Sequence, residues 1–323
     1  MIFRKQIEKM YSRTLFSRHD PDGCIFYFSK DDFDGLHAVS YEFKNQLGDT
    51  LRGAVYSYDD ARSDVLVVFD HGMGAGGHRA YLCEIEKLCR AGFAVLSYDH
   101  TGCADSEGKC IRGLSGSLAD LDACIGSVKA SEKYSDRELF VMGHSWGAFS
   151  TMNITAYHPE IRKIVAISGF ISLKEMHGQI LAGPLSLWRG DLFKLEQREN
   201  PDYADANALE ALRNSRADIL LIYSADDKTV SVKRHYKPLK EALSELENVE
   251  IILVDEAKDH NPNYTADAVR YKNEFFSIMT EKKKRGELET DEQKSAFVNS
   301  FDWHKMTEQD EKVWQKIISH LNK

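Results

Sequence analysis

The chain has 323 residues, of which 42% are hydrophobic and 29% are charged, so it can bury a large core and is neither a disordered nor a collagen-like protein. Its 42 Lys and Arg residues against 51 Asp and Glu residues give a net charge of −9, which disfavours a nucleic-acid binder because a phosphate backbone requires a basic face. The apolar runs are too short for a membrane span, which needs roughly 20 residues. The N-terminus has no uninterrupted apolar core of a signal peptide, and the six cysteines show no CxxC spacing. We therefore expect a cytoplasmic protein with reduced thiols and no membrane span.

Short apolar runs alternate with helical patterns through the middle of the chain. Two stretches of period two come first, at residues 37–43 and 51–58, and predict antiparallel strands. Buried strands are then predicted at residues 64–70, 93–99, 138–142, 163–168, 219–224 and 249–254. Continuous apolar strands separated by helices are typical of a parallel sheet covered on both faces. The sequence therefore predicts an α/β fold with a mostly parallel central sheet.

The helices between these strands have apolar residues at a spacing of three and four. For the helix after the second buried strand, Ser117 and Asp120 are spaced as a capping box, and Thr307 is predicted to cap the last helix of the chain. Residues 171–214 are too long for an ordinary connection and predict a helical cap or lid inserted above the sheet. We expect residues 1–323 to form a single domain, with residues 287–323 as a C-terminal helical segment packed on the core.

The strongest local signal is a Gly-x-Ser-x-Gly motif between a predicted strand and a predicted helix. It runs from Gly143 to Gly147, with Ser145 at its centre. A serine on such a sharp turn exposes its hydroxyl, and the amide that follows, from Trp146, points into the same space at the positive end of a helix. The motif predicts that Ser145 is a nucleophile.

A nucleophilic serine needs a base and an acid that orients the base, and on this architecture both follow later strands. His260 follows the last predicted strand, and Asp226 and Asp227 follow the strand before it. Adjacent carboxylates point in different directions, so only one of them can reach His260. The residues alone leave both Asp226 and Asp227 open.

A glycine-rich loop, from Asp70 to His78, follows the strand at residues 64–70 and has two interpretations. It can direct the Met73 amide, together with the Trp146 amide, at a developing oxyanion. Alternatively, Gly72-x-Gly74-x-x-Gly77, with Asp99 ending the next strand, fits a dinucleotide-binding pattern. The oxyanion interpretation is favoured because it also explains Ser145 and the later acid and histidine.

These motifs together resemble the α/β-hydrolase superfamily, and in particular serine hydrolases of the monoglyceride-lipase and serine-aminopeptidase-like group. The resemblance covers residues 65–169 and 219–263, including His71-Gly72, the Gly143 motif and His260-Asn261-Pro262. It implies an α/β-hydrolase fold and acyl transfer through Ser145, Asp227 and His260, with no cofactor and no metal. His144 and Trp188 are predicted to contact a small-molecule ester substrate. Whether the chain forms a homodimer is left open by the sequence.

The substrate class has two alternatives that the sequence leaves open. The predicted cap is rich in apolar residues that suit an acyl chain, which favours a carboxylic ester hydrolase. It also carries carboxylates that suit an aminopeptidase: Glu175, Asp191, Glu196, Glu199, Asp202 and Asp205. A non-catalytic binding protein on the same scaffold is a further alternative, because fold does not imply function.

Overall fold

The computed structural model describes residues 2–74, 76–255 and 257–323, and the strands within these residues form one eight-stranded sheet. The strands are β1 His37–Lys44, β2 Thr50–Ser57, β3 Val65–Asp70, β4 Ala94–Tyr98, β5 Glu138–His144, β6 Lys163–Ile167, β7 Asp218–Ser224 and β8 Val249–Val254. Their order is β1-β2-β4-β3-β5-β6-β7-β8. The pairs β1–β2 and β2–β4 are antiparallel and the remaining pairs are parallel. The mostly parallel sheet and its antiparallel leading strands are confirmed.

The helices alternate with these strands through the middle of the chain and then follow one another at its C-terminal end. They are α1 Ile2–Leu15, α2 Leu82–Arg90, α3 Gly116–Lys129, α4 Trp146–Asn153, α5 Leu173–Ile180, α6 Arg189–Glu199, α7 Ala208–Arg213, α8 Lys237–Leu243, α9 Ala266–Lys284, α10 Asp291–Asn299, α11 Trp303–Met306 and α12 Glu311–Asn322.

Alternate residues of the central strands enter two separate hydrophobic layers, as the pleat of a strand requires. In β3, Leu66 and Val68 belong to the layer that includes α3 and α4. Val65 and Val67 belong to the opposite layer, which includes α2 and α12. Every residue of β3 is buried, which is why its sequence reads as a continuous apolar run.

Two predicted helix caps are wrong. Ser117 lies inside α3, while Asp120 accepts hydrogen bonds from the amide and hydroxyl of Thr101. Thr307 ends α11, and the N-terminal cap of α12 is Asp310, whose carboxylate accepts from two backbone amides of that helix. Asp120 therefore accepts hydrogen bonds from the loop after β4 instead of capping its own helix.

Residues 171–214 lie between β6 and β7 and contain α5, α6 and α7. The C-terminal residues divide into two parts: α12 covers the sheet beside α2, whereas Leu288, Phe297 and Met306 pack against Phe275 of α9 and Cys24 in a smaller cluster. None of the helices within the described residues combines the length and apolar composition needed to cross a membrane.

Candidate active site

Ser145 stands between β5 and α4 in a strained backbone conformation. Its φ of 56° and ψ of −111° lie where side chains rarely occur, as in a sharp strand-to-helix turn. The flanking glycines are required by space: a Cβ on Gly147 would lie 2.0 Å from the carbonyl oxygen of Asp70, and one on Gly143 would lie 2.5 Å from the carbonyl oxygen of Gly147. The close approach of β3 and α4 therefore fixes the turn, which leaves Ser145 partly exposed.

His260 lies between Ser145 and Asp227 and makes a hydrogen bond with each. Its Nε2 is 2.7 Å from the Ser145 hydroxyl oxygen, and its Nδ1 is 2.8 Å from Oδ2 of Asp227. The other oxygen of Asp227 accepts from the backbone amides of Thr229 and Val230, at 2.8 Å each. A carboxylate held in this way fixes the tautomer with the proton on Nδ1, so Nε2 is free to accept the proton of Ser145.

Asp226 makes its hydrogen bonds with Ser224 and with the loop that carries His260, and not with the His260 ring. Its Oδ1 accepts from the Ser224 hydroxyl at 2.6 Å and from the backbone amides of Asp259 and Lys258 at 3.0 and 3.3 Å. Burial raises the pKa of Asp226, but these hydrogen bonds outweigh it and hold the pKa below its ordinary value. The carboxylate that contacts His260 is that of Asp227.

His144, one residue before Ser145, makes a hydrogen bond with the backbone of His260. Its Nε2 lies 2.9 Å from the backbone carbonyl oxygen of His260, and its Nδ1 lies 3.0 Å from the hydroxyl of Tyr81. Burial, and then the neighbouring His260, lower the pKa of His144 well below its ordinary value, so the ring is neutral. A carbonyl only accepts, so Nε2 donates to His260 and Nδ1 accepts from Tyr81. From the sequence, we expected His144 only to contact the substrate.

The glycine-rich loop after β3 is held by buried histidines. Burial, and then the charge of His100, lower the pKa of His71 to about 3, so its Nδ1 donates to the Gly72 carbonyl, 2.7 Å away. A Cβ on Gly72 would lie 2.3 Å from the Tyr81 hydroxyl, so the loop also needs glycine there. Met73, the next residue, lines the same cavity as His260. Trp146 is the first residue of α4, where backbone amides have no partner within the helix.

A buried ion cluster that the sequence analysis missed lies beneath this loop. His100 Nε2 is 3.1 Å from Oδ1 of Asp70, and its Nδ1 is 3.3 Å from Oδ2 of Asp120. Burial lowers the pKa of His100, but the two carboxylates outweigh it and raise the pKa to about 10. The ring of Trp146 lies 4.6 Å from that of His100, centre to centre. The cluster thus connects the ends of β3 and β4 to the first residue of α4.

The dinucleotide interpretation of the glycine loop requires Asp99 to face a ribose, and Asp99 is buried. Its Oδ1 accepts from the backbone amide of His78 at 2.8 Å and is 2.7 Å from that ring, while Oδ2 accepts from the Asp105 amide at 3.1 Å. Both oxygens are therefore used inside the protein, and a ribose hydroxyl could not reach them. Among the described residues, no group of three or more His, Cys, Asp or Glu side chains is arranged to hold a metal ion.

A cavity of about 470 Å³ opens beside His260. Its walls come from the glycine loop, from residues 22–28 and from α9, with contributions from His144 and Met306. Trp188 is not among the described residues that line it, and instead packs on the core near α6. Of the apolar cap residues, Leu181 and Leu192 are buried, whereas Leu187 is 82% exposed. The cap therefore supplies none of the described walls of this cavity.

Most cap carboxylates have partners elsewhere in the protein. Glu196 is fully buried and accepts from the amide of Leu114 and the hydroxyl of Ser115, at 2.8 Å each, and from the hydroxyl of Tyr11. Three others form ion pairs on the surface of the protein: Glu175 with Arg234, Asp205 with Lys174 and Glu199 with Arg198. Glu196 thus ties α6 to α1 and to the loop before α3.

Comparisons with known proteins agree on the type of fold. Residues 61–204 match the model of a family described as serine aminopeptidase, S33. The esterase Pf2001 of Pyrococcus furiosus is 20% identical, with a TM-score of 0.59 over 83% of this chain and 98% of that one. Acetyl xylan esterase 1 of Thermoanaerobacterium is 16% identical, with a TM-score of 0.53 over 84% and 93% of the two chains.

An acylaminoacyl peptidase of Pyrococcus horikoshii also has a similar fold, at 15% identity and a TM-score of 0.51 over 78% of this chain and 42% of that one. No curated protein matches the sequence. At these identities the structural likenesses show the fold alone, and they confirm the predicted α/β-hydrolase fold.

Proposed function

We propose that this chain, which has an α/β-hydrolase fold and whose residues 61–204 match the serine aminopeptidase S33 family model, is a serine hydrolase that cleaves carboxylic esters. The observation that carries this proposal is the continuous hydrogen-bonded series from Ser145 through His260 to Asp227, with distances of 2.7 and 2.8 Å. Such a series gives the serine hydroxyl a base and gives the base a fixed tautomer.

In the proposed mechanism, Ser145 Oγ attacks the ester carbonyl while His260 Nε2 takes its proton. The imidazolium that forms is stabilised by Asp227, and it then gives the proton to the leaving alcohol. Water, deprotonated by the same Nε2, attacks the acyl-enzyme and releases the acid and Ser145. The amides of Met73 and Trp146 are proposed to donate to the oxyanion of each tetrahedral intermediate. Losing one such donor typically lowers turnover by about 10² to 10³.

Two features favour an ester over a peptide with a free amino terminus. An aminopeptidase needs an unpaired carboxylate near the serine to bind the ammonium group of its substrate, and Glu175, Glu196 and Glu199 already have partners. Much of the lining of the cavity beside His260 is apolar, including Phe26 and Phe276, and the described carboxylate that lines it, Asp22, is paired with Lys283. Apolar walls suit an acyl or alkyl arm, since burying each CH₂ contributes about 0.8 kcal/mol.

The test is a substrate panel on the purified chain, with Ser145→Ala as the control. We expect hydrolysis of short- and medium-chain 4-nitrophenyl esters, with kcat/KM rising over the first methylenes, and much weaker cleavage of prolyl and leucyl arylamides. If an arylamide were cleaved with a higher kcat/KM than any ester, the peptidase alternative would replace this proposal. If Ser145→Ala kept its activity, the proposed nucleophile would be wrong.

A further inference from the structure

The cavity beside His260 contains a lysine that the proposed mechanism does not use. Residues of α9 at spacings of three and four face this cavity, and they include Lys272, Phe275, Phe276, Met279 and Lys283. The opposite wall is formed by residues 25–28 and by the glycine loop. One helix face therefore presents an apolar surface with an ammonium group at each end.

The two lysines differ in their partners. Lys283, at one end, forms an ion pair with Asp22 across the cavity. No carboxylate of the described residues lies within 4 Å of the Lys272 ammonium, whose nitrogen is 4.6 Å from the centre of the Tyr264 ring. The hydroxyl of Tyr264 donates to Glu84, 2.6 Å away, so it is not available to Lys272. Among the described residues that line this cavity, Lys272 is thus the lysine without a carboxylate within 4 Å.

The surroundings of Lys272 compensate its charge only in part. Burial lowers the pKa of Lys272, and the attraction of Glu84 acts in the opposite direction. Burial also raises the pKa of Glu84, which reduces the negative charge that this carboxyl can offer. Lys272 is half-buried, and an ammonium group that has lost part of its water without gaining an ion pair is unfavourable, a cost that an anion bound beside it would reduce.

We propose that Lys272 binds a carboxylate at the end of an apolar arm of the ester substrate, with Phe26, Phe276 and Met279 contacting the arm. A single ammonium matches a carboxylate of one charge better than a phosphate, which carries between −1.5 and −2 at neutral pH. The volume of about 470 Å³ is within the range of small-molecule sites. This inference rests on the proposed ester hydrolysis and specifies its substrate class: monoesters of dicarboxylic acids or esters of hydroxy acids.

The experiment compares esters of equal length that differ only in a terminal charge. For the acyl arm, the pair is mono-4-nitrophenyl adipate and 4-nitrophenyl hexanoate; for the alcohol arm, it is 6-acetoxyhexanoate and hexyl acetate. We expect kcat/KM to favour the charged ester of at least one pair by about 10- to 100-fold, the range of a hydrogen bond to a charged group. Lys272→Met should abolish this preference through KM, and Lys272→Arg should keep most of it.

Lys284→Met is the matched control, because it removes the same charge from an exposed position of the same helix. This variant should change kcat/KM for the esters of both pairs by no more than about twofold. The inference is overturned if the wild-type protein prefers neither charged ester, or if Lys272→Met lowers charged and neutral substrates equally. Hydrolysis that depends on Ser145 but not on Lys272 would contradict this inference alone, whereas hydrolysis that survives Ser145→Ala would contradict the proposed function and this inference with it.

Discussion

Nε2 of His144 donates a hydrogen bond to the backbone carbonyl of His260, at 2.9 Å, so the residue before the proposed nucleophile holds the loop of the proposed base. His144→Ala removes this donor and the acceptor of the Tyr81 hydroxyl. We expect kcat to fall by up to about 10² with little change in KM, since a small misplacement of a catalytic group has effects of that size. His144→Gln, which can still donate, should recover part of the loss. A rise in KM at unchanged kcat would show that His144 only contacts substrate.

The two adjacent aspartates allow a direct comparison. Asp227→Asn should lower turnover by about 10⁴, because an amide facing Nδ1 no longer stabilises the imidazolium or its correct tautomer. Asp226→Asn should lower turnover far less, since an amide oxygen can still accept from Ser224 and the Asp259 amide. Steady-state kinetics on one ester settles the order. Greater damage from Asp226→Asn would reverse the assignment.

The strands and the serine turn could be predicted because their signals are local. Residues buried on both faces of the sheet give continuous apolar runs, and each predicted parallel strand lies within two residues of the observed one. The motif around Ser145 is likewise fixed by two glycines whose neighbours leave no room for a Cβ. The sequence has no local signal that distinguishes Asp226 from Asp227, because the distinction depends on the direction in which each carboxylate leaves the end of β7.

The walls of the cavity were missed for a similar reason. Phe276 and Met279 have the spacing of an ordinary amphipathic helix, and only the packing of α9 against residues 22–28 turns that face towards His260. The expectation that the cap receives the substrate relied on its apolar content. In the structure, much of that content is buried in the core, as for Leu192, or directed to solvent, as for Leu187.

Phe276 and Leu187 allow a test of whether the cavity or the cap contacts the apolar arm of the substrate. Phe276 lines the cavity and is 39% exposed, so Phe276→Ala should lower kcat/KM for a hexanoate ester by about tenfold, at about 0.8 kcal/mol for each CH₂ that loses its contact. Leu187→Ala, on the exposed surface of the cap, should stay within about twofold. A larger loss from Leu187→Ala than from Phe276→Ala, measured across ester chain lengths, would show that the cap binds the substrate.

The buried cluster at His100 should govern stability at alkaline pH. The pKa of His100, about 10, lies above the value near 6.5 in the unfolded chain. The stabilisation that charged His100 provides is therefore complete below about pH 6.5 and is lost as the pH rises towards 10. His100→Gln leaves Asp70 and Asp120 without their cation and should lower the free energy of unfolding by about 3–5 kcal/mol at pH 6.

The same comparison gives the sign of the pH effect. Urea unfolding at pH 6 and pH 9.5 should show the wild-type protein losing more stability than His100→Gln, by up to about 1.4 kcal/mol per pH unit. Equal losses in both proteins would mean that His100 is neutral in the folded state.

The proposed function requires that Ser145 is a nucleophile activated by His260. The most direct measurement is reaction of the folded protein with a fluorophosphonate probe, followed by peptide mapping of the modified residue by mass spectrometry. We expect one adduct, on Ser145, that is absent in Ser145→Ala and forms much more slowly in His260→Ala, with unchanged circular dichroism of both variants. A wild-type protein that stays unlabelled, or an adduct that persists in Ser145→Ala, would show that Ser145 is not this nucleophile.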